Sequence, residues 1–336
     1  VTFLNSIFES ISGITGTGFS IFKNIKYLDP TLILWRSSSQ WIGGLFFLFF
    51  LIIIFSNKSF NFKMTNLSFS GDNNFNSEEN IKDNVLKVFI FYSVLSIIIL
   101  SVLSFSGIRL FNSLNLSMTL VSGGGFLPTD SINKIISTNI QKVVFIFSLI
   151  ISMLNFYLLF NLFNKNILVK EHKEDLYLLI LSIIFFVLIY FNNYDGLDII
   201  FSVISSLANS GLTLMTSDNN LSLYFLLITI IGGSLISNTS GIKLTRFYIL
   251  LKITSLEIIK LISPNSIINK TIFNSDKKIS DENVKISFLI FISFFLSLFI
   301  LSSLLVVDNI GFEKSFKLSI LTLTNTVNSE MFNMQN

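Results

Sequence analysis

The sequence contains no cysteine, a single histidine and only three prolines, and 13% of its residues are charged. The lack of cysteine excludes disulfides, thiolate metal sites and cysteine nucleophiles. The one histidine, His172, lies in a charged linker between Glu171 and Glu174, where we expect it to be exposed to solvent. The net charge of +3 is small and indicates no nucleic-acid partner.

Hydrophobic residues make up 51% of the chain, and the mean hydropathy is +0.72. A bilayer-spanning helix needs about 20 predominantly apolar residues. Runs near that length recur at 32–55, 85–105, 143–163, 176–190, 221–236 and 286–307. The run at 221–236 continues through a broken centre to Leu251. The pattern predicts an all-α membrane protein that crosses the bilayer several times, and no signal-peptide pattern opens the chain.

A short phrase recurs between these runs: a small or hydroxyl residue, a glycine, and then a bulky apolar residue. It reads Thr17-Gly18-Phe19, Gly124-Gly125-Phe126 and Ser210-Gly211-Leu212, with a degraded fourth copy at Val327-Asn328-Ser329. Each copy follows an amphipathic segment of roughly 12–15 residues, which has a helical pattern but is too short to span. Four such turns around one axis would form a ring of backbone carbonyls, the arrangement that holds a potassium ion in a membrane.

The repeated unit is therefore a helix, a pore turn and a second helix. We predict a first module at 1–56, which has its pore turn and second helix but lacks the helix before them. Complete modules follow at 84–164 and at 175–252, and the fourth, at 284–336, lacks its last helix. Lysines are concentrated in the linkers at 57–83, 165–174 and 253–283, which predicts cytoplasmic linkers and outward-facing pore turns.

Longer motifs surround these turns. Residues 12–19 read SGITGTGF, and the helix that follows contains WRSSSQWIGG from Trp35 onward. The second turn, GGGF at 123–126, is followed by Thr129-Asp130. A glycine pair at 232–233, the sequence SGIK at 240–243 and Arg246 interrupt the second helix of the third module. In this order, these motifs resemble the Trk/Ktr/HKT family of potassium transporters over essentially the whole chain.

The resemblance implies a potassium-channel-like fold of four pore modules in pseudo-fourfold order, with two chains in each complex. It also implies passage of potassium, sometimes sodium, through the bacterial cytoplasmic membrane, and a cytoplasmic regulatory subunit that binds nucleotide. Potassium would be the transported ion and would bind to filter carbonyls, and we expect no cofactor in this chain. Symport with sodium or protons is compatible with the family, although no carboxylate pair lies within a span to argue for it.

The resemblance assigns two sets of residues. The ion-binding carbonyls of the filter are expected from Gly16, Thr17, Gly18, Gly123, Gly124, Gly125, Asn209, Ser210, Gly211, Thr326, Val327 and Asn328. A gate beneath the filter is expected from Ser237, Asn238, Thr239, Ser240, Gly241, Lys243 and Arg246. A simply kinked helix is the alternative to the gate.

Two departures from the family pattern leave alternatives open. The family has glycine where this chain has Asn328, which makes a sodium-permeable transporter an alternative. The other interpretation of the missing glycine is a register shifted by one or two residues. Leu235 and Ile236 replace small residues in the gate segment. Lys243 and Arg246 are either a cationic brake below the pore or snorkelling anchors at the membrane interface.

Other polar residues have competing interpretations. We expect Arg36, Gln40 and Trp41 to pack against the filter or at the interface rather than to contact ions. Glu9 and Asp130 either add negative potential at the outer mouth or are helix-terminal or solvated carboxylates.

Other classes of protein fit the sequence less well. An intramembrane enzyme needs a clustered nucleophile, acid and base, which the sequence does not offer. A non-conducting scaffold stays open, and a transporter of inverted repeats fits less well because the four motifs are alike in orientation.

Overall fold

The computed structural model describes residues 2–22, 24–56, 81–156, 158–159, 173–191, 194–215, 219–263, 271–273 and 279–326. Helices dominate this part of the chain. In chain order they are α1 (Phe3–Ile14), α2 (Pro30–Ser56), α3 (Ile81–Phe105), α4 (Leu110–Val121), α5 (Asn139–Met153), α6 (Lys173–Tyr190), α7 (Gly196–Leu207), α8 (Asn219–Ile231), α9 (Leu244–Ile262), α10 (Asp281–Val307) and α11 (Phe312–Leu323).

Four of these helices are short: α1, α4, α7 and α11 each contain 12 residues. At about 1.5 Å per residue, a helix of this length covers little more than half of a hydrocarbon core of about 30 Å. Many of their serines and threonines donate to carbonyls three to five residues back in the chain, so these polar groups are satisfied without water. The short helices lie at the four places where the sequence predicts pore segments.

The long helices surround the short ones in a repeated pattern. The short helix α4 packs on α3 of its own module and on α2 of the module before it. In the same way α7 packs on α6 and α5, and α11 packs on α10 and α8. The short helix α1 packs on α2. This repetition gives a pseudo-fourfold arrangement in which the carboxyl ends of the four short helices meet at the centre.

Two helices end at positions that differ from those predicted by the apolar runs of the sequence. Helix α5 ends at Met153, although the run continues to Phe163, because Leu154 is extended (ψ 161°) and the following amides bond elsewhere. The amide of Asn155 donates to Asp175, and that of Phe156 donates to the carbonyl of Ile236. At the other end of the third module, α9 continues through residues 253–262, which the sequence assigns to a linker.

Within the described ranges, the helical segments Val85–Phe105 and Asp281–Val307 are long and apolar enough to cross a bilayer. Few side chains of the second segment are buried, and Phe288, Leu296 and Phe299 on α10 are each more than half accessible. Exposed apolar faces of this extent are typical of helices that contact lipid. The polar and small side chains lie instead toward the centre, where the four turns meet.

Candidate functional site: four central turns and the loop beneath them

Each short helix ends in the same backbone turn. The residue after the helical cap has a positive φ: 71° at Gly16, 69° at Gly123, 53° at Asn209 and 50° at Asn325. Its amide donates to the carbonyl three residues back, and the next amide donates to the carbonyl five residues back, at 2.8–3.3 Å. Glycine adopts this left-handed conformation at no steric cost, and asparagine is among the few other residues that tolerate it. The residues that follow each turn then lie toward the centre of the protein.

The first three turns lie side by side through their glycines. A Cβ added to Gly18 would lie 3.3 Å from the Cα of Gly125, so the two backbones are in contact. A Cβ added to Gly125 would lie 2.7 Å from the carbonyl oxygen of Ser210. The second turn is therefore packed between the first and the third, and neither contact leaves room for a side chain.

The fourth turn joins the third and the first through side-chain amides. The Nδ2 of Asn209 donates to the Oγ1 of Thr326 at 3.1 Å. The Oδ1 of Asn325 accepts from the Oγ1 of Thr17 at 3.3 Å, and its Nδ2 donates to the carbonyl of Thr15 at 3.3 Å. These contacts close a ring of four turns that involves every module.

The structure describes ten of the twelve predicted filter residues, and it brings all ten to this ring. Val327 and Asn328 lie outside the described residues. In the first three modules the predicted filter glycine stands two residues after the positive-φ residue. Asn328 stands three residues after Asn325, and Val327 stands two residues after it.

Beneath the ring, the second helix of the third module is interrupted by a loop, residues 232–243, which we call the central loop. The amides of Ile242 and Lys243 donate to the carbonyls of Ile230 and Ile231, both at 2.9 Å, so the chain returns to the point where it left the helix. A Cβ on Gly241 would lie 3.2 Å from the Cα of Gly232. The two ends of the central loop can approach this closely because both residues are glycine.

The central loop reaches the second turn. The Nδ2 of Asn238 donates to the carbonyl of Val121, the last residue of α4, at 2.9 Å. A Cβ on Gly123 would lie 3.1 Å from the carbonyl oxygen of Asn238. Asn238 of the predicted gate thus lies directly against the predicted filter, and the non-helical segment between Ile231 and Leu244 is too long for a simple kink.

Comparison with known proteins agrees with this arrangement. The family model for the TrkH cation transport protein matches residues 1–180 of the chain. This chain belongs to the TrkH family. Among solved structures, the crystal structure of the potassium transporter TrkH from Vibrio parahaemolyticus superposes with a TM-score of 0.84 at 18% identity, covering 97% of this chain and 70% of that one. The fold is therefore that of a helical membrane transporter built from pore-loop modules.

Several known proteins have low sequence identity to this chain but align with most of its length. The potassium uptake protein TrkG of Escherichia coli is 27% identical, over 98% of this chain and 70% of its own length. An uncharacterized cation transporter of Methanocaldococcus jannaschii is 25% identical, over 89% of this chain and 63% of its own length. TrkH of Escherichia coli is 25% identical, over 80% of this chain and 59% of its own length. The chain thus spans 59–70% of the length of these three relatives.

In this TrkH-family chain, a buried ion pair supports the first turn from behind. The Oε1 of Glu9 accepts from the Nε of Arg36 at 2.7 Å, and the two side chains are 3% and 1% exposed. Glu9 also accepts from the Oγ of Ser20 and the amide of Ile21, each at 3.0 Å. Glu9 is therefore a buried, paired carboxylate rather than a solvated one. The Arg36 guanidinium lies 4.1 Å from the ring centroid of Phe126, which links the first and second turns.

The other helix α2 residues have the packing roles expected for them. The side chain of Gln40 lies behind Gly124, and its Oε1 accepts from the amide of Phe126 at 3.3 Å. The Nε1 of Trp41 donates to the Oγ of Ser96 on α3 at 2.8 Å. Asp130 accepts from the amide of Ile25 and from Lys134, both at 2.6 Å. Asp130 borders a cavity of about 210 Å³ above the turns.

Two serines were missed by the sequence analysis. The Oγ of Ser12 donates to the carbonyl of Phe19 at 2.6 Å, and the Oγ of Ser205 donates to the carbonyl of Leu212. Both serines stand seven residues before the carbonyl that they bind, in the last turn of α1 and α7. That shared spacing is the sequence signal that identifies them. They fix the carbonyl immediately beyond the filter glycine in two of the four modules.

Lys243 does not snorkel to the membrane surface. Its side chain is 6% exposed and its Nζ points into the central loop, toward Ser237 and Thr239. Arg246 is half-buried and donates to the carbonyl of Ile242 at 3.5 Å. The carboxylate of Glu174, a partly buried residue on α6, accepts from the Oγ of Ser234 at 3.1 Å and from the amide of Leu235 at 3.0 Å.

Proposed function

We propose that the chain forms the ion pathway of a potassium uptake protein in the bacterial cytoplasmic membrane. The ring of four turns supports this proposal most strongly, since it gathers one backbone segment from each module around a single axis. Backbone carbonyls in such a ring replace the hydration shell of a monovalent cation. The relatives named for potassium uptake and the family's cation transport support the same substrate class.

In this proposal, transport needs no resident cofactor in the chain and no chemical step. The membrane potential supplies about 2.3 kcal/mol per elementary charge for each 100 mV. The central loop acts as the gate, because it lies against the second turn and would obstruct an ion that leaves the ring. The related proteins are transporters, and we propose no enzymatic activity.

Sodium permeation is the second candidate. It is favoured by the lack of glycine in the fourth turn, since neither Val327, two residues after Asn325, nor Asn328, three residues after it, is glycine. A polar side chain or an altered backbone count in one of four modules would change the spacing of one carbonyl in the ring. Selectivity depends on the number and placement of those carbonyls.

The test is uptake of rubidium and of sodium by the complete gene product in a bacterial host that lacks its own potassium uptake. Rubidium uptake that exceeds sodium uptake supports the potassium proposal. Asn328→Gly and Val327→Gly are compared in the same host, to find which residue completes the ring. Absence of flux for both ions, with normal amounts of protein in the membrane, would refute the transport proposal and favour a non-conducting scaffold.

We further propose that the protein works as a homodimer in the lipid bilayer and binds a cytoplasmic regulatory subunit that carries the nucleotide site. The family resemblance supports both partners. Copurification of a chain with a nucleotide-binding domain from the native membrane, and a complex mass of two subunits, would test them. Coupling to sodium or protons as a symporter is tested by uptake at imposed sodium and proton gradients.

A further inference from the structure

The ammonium of Lys243 is enclosed by four oxygens of the central loop. Its Nζ lies 3.1 Å from the Oγ and 3.3 Å from the carbonyl oxygen of Ser237. It lies 2.9 Å from the Oγ1 of Thr239 and also contacts the Thr239 carbonyl oxygen. The side chain thus runs back from the start of α9 and fills a small cage within its own loop.

These oxygens are the ligand set of an alkali cation. Two are carbonyl oxygens and two are hydroxyl oxygens, and neither type carries a net charge. Carbonyl and hydroxyl oxygens replace the water around a weakly hydrated monovalent ion, whereas calcium sites are built around carboxylates. An ammonium group and a potassium ion have the same charge and both bind to oxygen, so one cage suits either of them.

The cage keeps its shape through contacts that do not involve Lys243. The Ser237 Oγ donates to the carbonyl of Ser234 at 2.7 Å, and it lies 2.6 Å from the Thr239 Oγ1. The Thr239 Oγ1 also accepts from the amide of Gly233 at 3.2 Å. The oxygens are therefore already in place and do not depend on the lysine to gather them.

A counter-charge is fixed nearby. Glu174 interacts electrostatically with Lys243 and is held by Ser234, by Leu235 and by the amide of Thr245 at 3.3 Å. Because these contacts anchor the carboxylate to the loop and to α9, it stays when Lys243 leaves. Its negative charge, which also interacts with Arg246, would favour a cation in the cage that Lys243 leaves empty.

We propose that the Ser237 and Thr239 oxygens form a monovalent-cation site that Lys243 occupies as a tethered cation, and that a potassium ion takes the same place when the ammonium withdraws. The site adjoins Asn238, whose carbonyl oxygen lies against Gly123 of the ring. An ion leaving the ring would meet it next. The inference rests on the proposed function for the identity of the ion.

The test compares the thermal stability of the complete purified protein in choline, sodium and potassium salts. Wild type is expected to gain stability in potassium through the ring alone. Lys243→Met removes the ammonium at similar side-chain length, and it should show an additional potassium-dependent rise in Tm of roughly 2–4 °C. Lys243→Arg keeps the charge, and Lys87→Met alters an exposed lysine on α3; neither should show the additional rise. Adding Thr239→Val to Lys243→Met should abolish it.

The outcomes separate this inference from the proposed function. If wild type responds to potassium and Lys243→Met adds nothing, the cage is not a cation site and the ring proposal stands. If only Lys243→Met responds, the cage is supported and the ring proposal fails. Reductive methylation of wild type gives an independent measurement that does not need the variant to fold. Lys243 should be methylated faster in potassium than in choline while Lys87 is unchanged, and equal rates for Lys243 in both salts would overturn the inference.

Discussion

Replacing Gly125 by alanine tests the contact on which the ring depends. The new Cβ would lie 2.7 Å from the carbonyl oxygen of Ser210, about 0.7 Å short of the 3.4 Å at which ordinary contact begins. Both groups belong to the backbone, so neither can rotate away. Gly125 is not among the residues with positive φ, and alanine is therefore compatible with its backbone conformation. The substitution is a purely steric test of the spacing between the second and third turns.

The expected loss follows from the cost of overpacking. Inserting one methyl group into a well-packed site costs about 1–3 kcal/mol. If the whole cost raises the free energy of the conducting conformation, uptake falls roughly 5- to 150-fold, since each 1.36 kcal/mol changes a rate about tenfold. A displacement of several tenths of an ångström also changes the carbonyl spacing. We therefore expect the ratio of rubidium to sodium uptake to fall along with the rate.

The assay is initial rubidium and sodium uptake in the deficient host, normalised to the amount of protein in the membrane. Gly196→Ala is the matched control, because its Cβ would lie 3.8 Å from the Tyr190 ring in ordinary contact and its φ is not positive. The control should retain wild-type uptake and ion ratio. Uptake by Gly125→Ala at the wild-type rate and ratio would refute the close contact between the turns.

Three further predictions concern Gly16, Glu9 and Glu174. Gly16→Ala should lose more uptake than Gly16→Asn, because the left-handed conformation costs most L-residues about 1–2 kcal/mol and Asn209 already adopts it in the third module; equal uptake by both variants would count against this account. Glu9→Gln leaves the buried guanidinium of Arg36 uncompensated, at a cost of about 3–5 kcal/mol, and should reduce the folded fraction in size-exclusion chromatography. Adding Arg36→Met should recover much of it, and a double variant no better than the single one would contradict the pairing. Glu174→Gln weakens charge-assisted bonds worth about 1.5–3 kcal/mol, so uptake should rise roughly tenfold or more at an unchanged ion ratio; unchanged uptake would remove Glu174 from control of the loop.

The pore segments and their turns were predictable from sequence because their causes are local. An amphipathic segment too short to span, followed by glycine, predicts a helix that ends inside the membrane and a left-handed turn. The structure shows that turn at Gly16 and Gly123, and asparagine supplies the same conformation at Asn209 and Asn325. Asn325 was missed because its neighbours contain no glycine, and only comparison with the other three turns assigns its position.

The role of Glu174 could not be predicted because its partners are distant in sequence. Glu174 lies in the first turn of α6, within the segment 165–174 that the sequence assigns to a linker, and it binds a loop about sixty residues further along the chain. The early end of α5 has the same origin, since the amide of Phe156 bonds to Ile236 in that loop. Contacts of this kind depend on how modules pack together, which hydropathy and spacing do not encode.

The distribution of charge explains how one chain can hold ions without trapping them. The ring is built from glycine, serine, threonine and asparagine, so it offers an ion dipoles rather than full charges. Glu9 is paired with Arg36 behind the ring, and Glu174 lies beneath it with Lys243 and Arg246, with which it interacts electrostatically. A full negative charge in the ring would bind a cation too tightly for conduction, which requires that each site release its ion. Placing these carboxylates outside the ring keeps the ring free of full negative charge, and in the proposed pathway the central loop is where a protein cation, Lys243, competes with the transported ion.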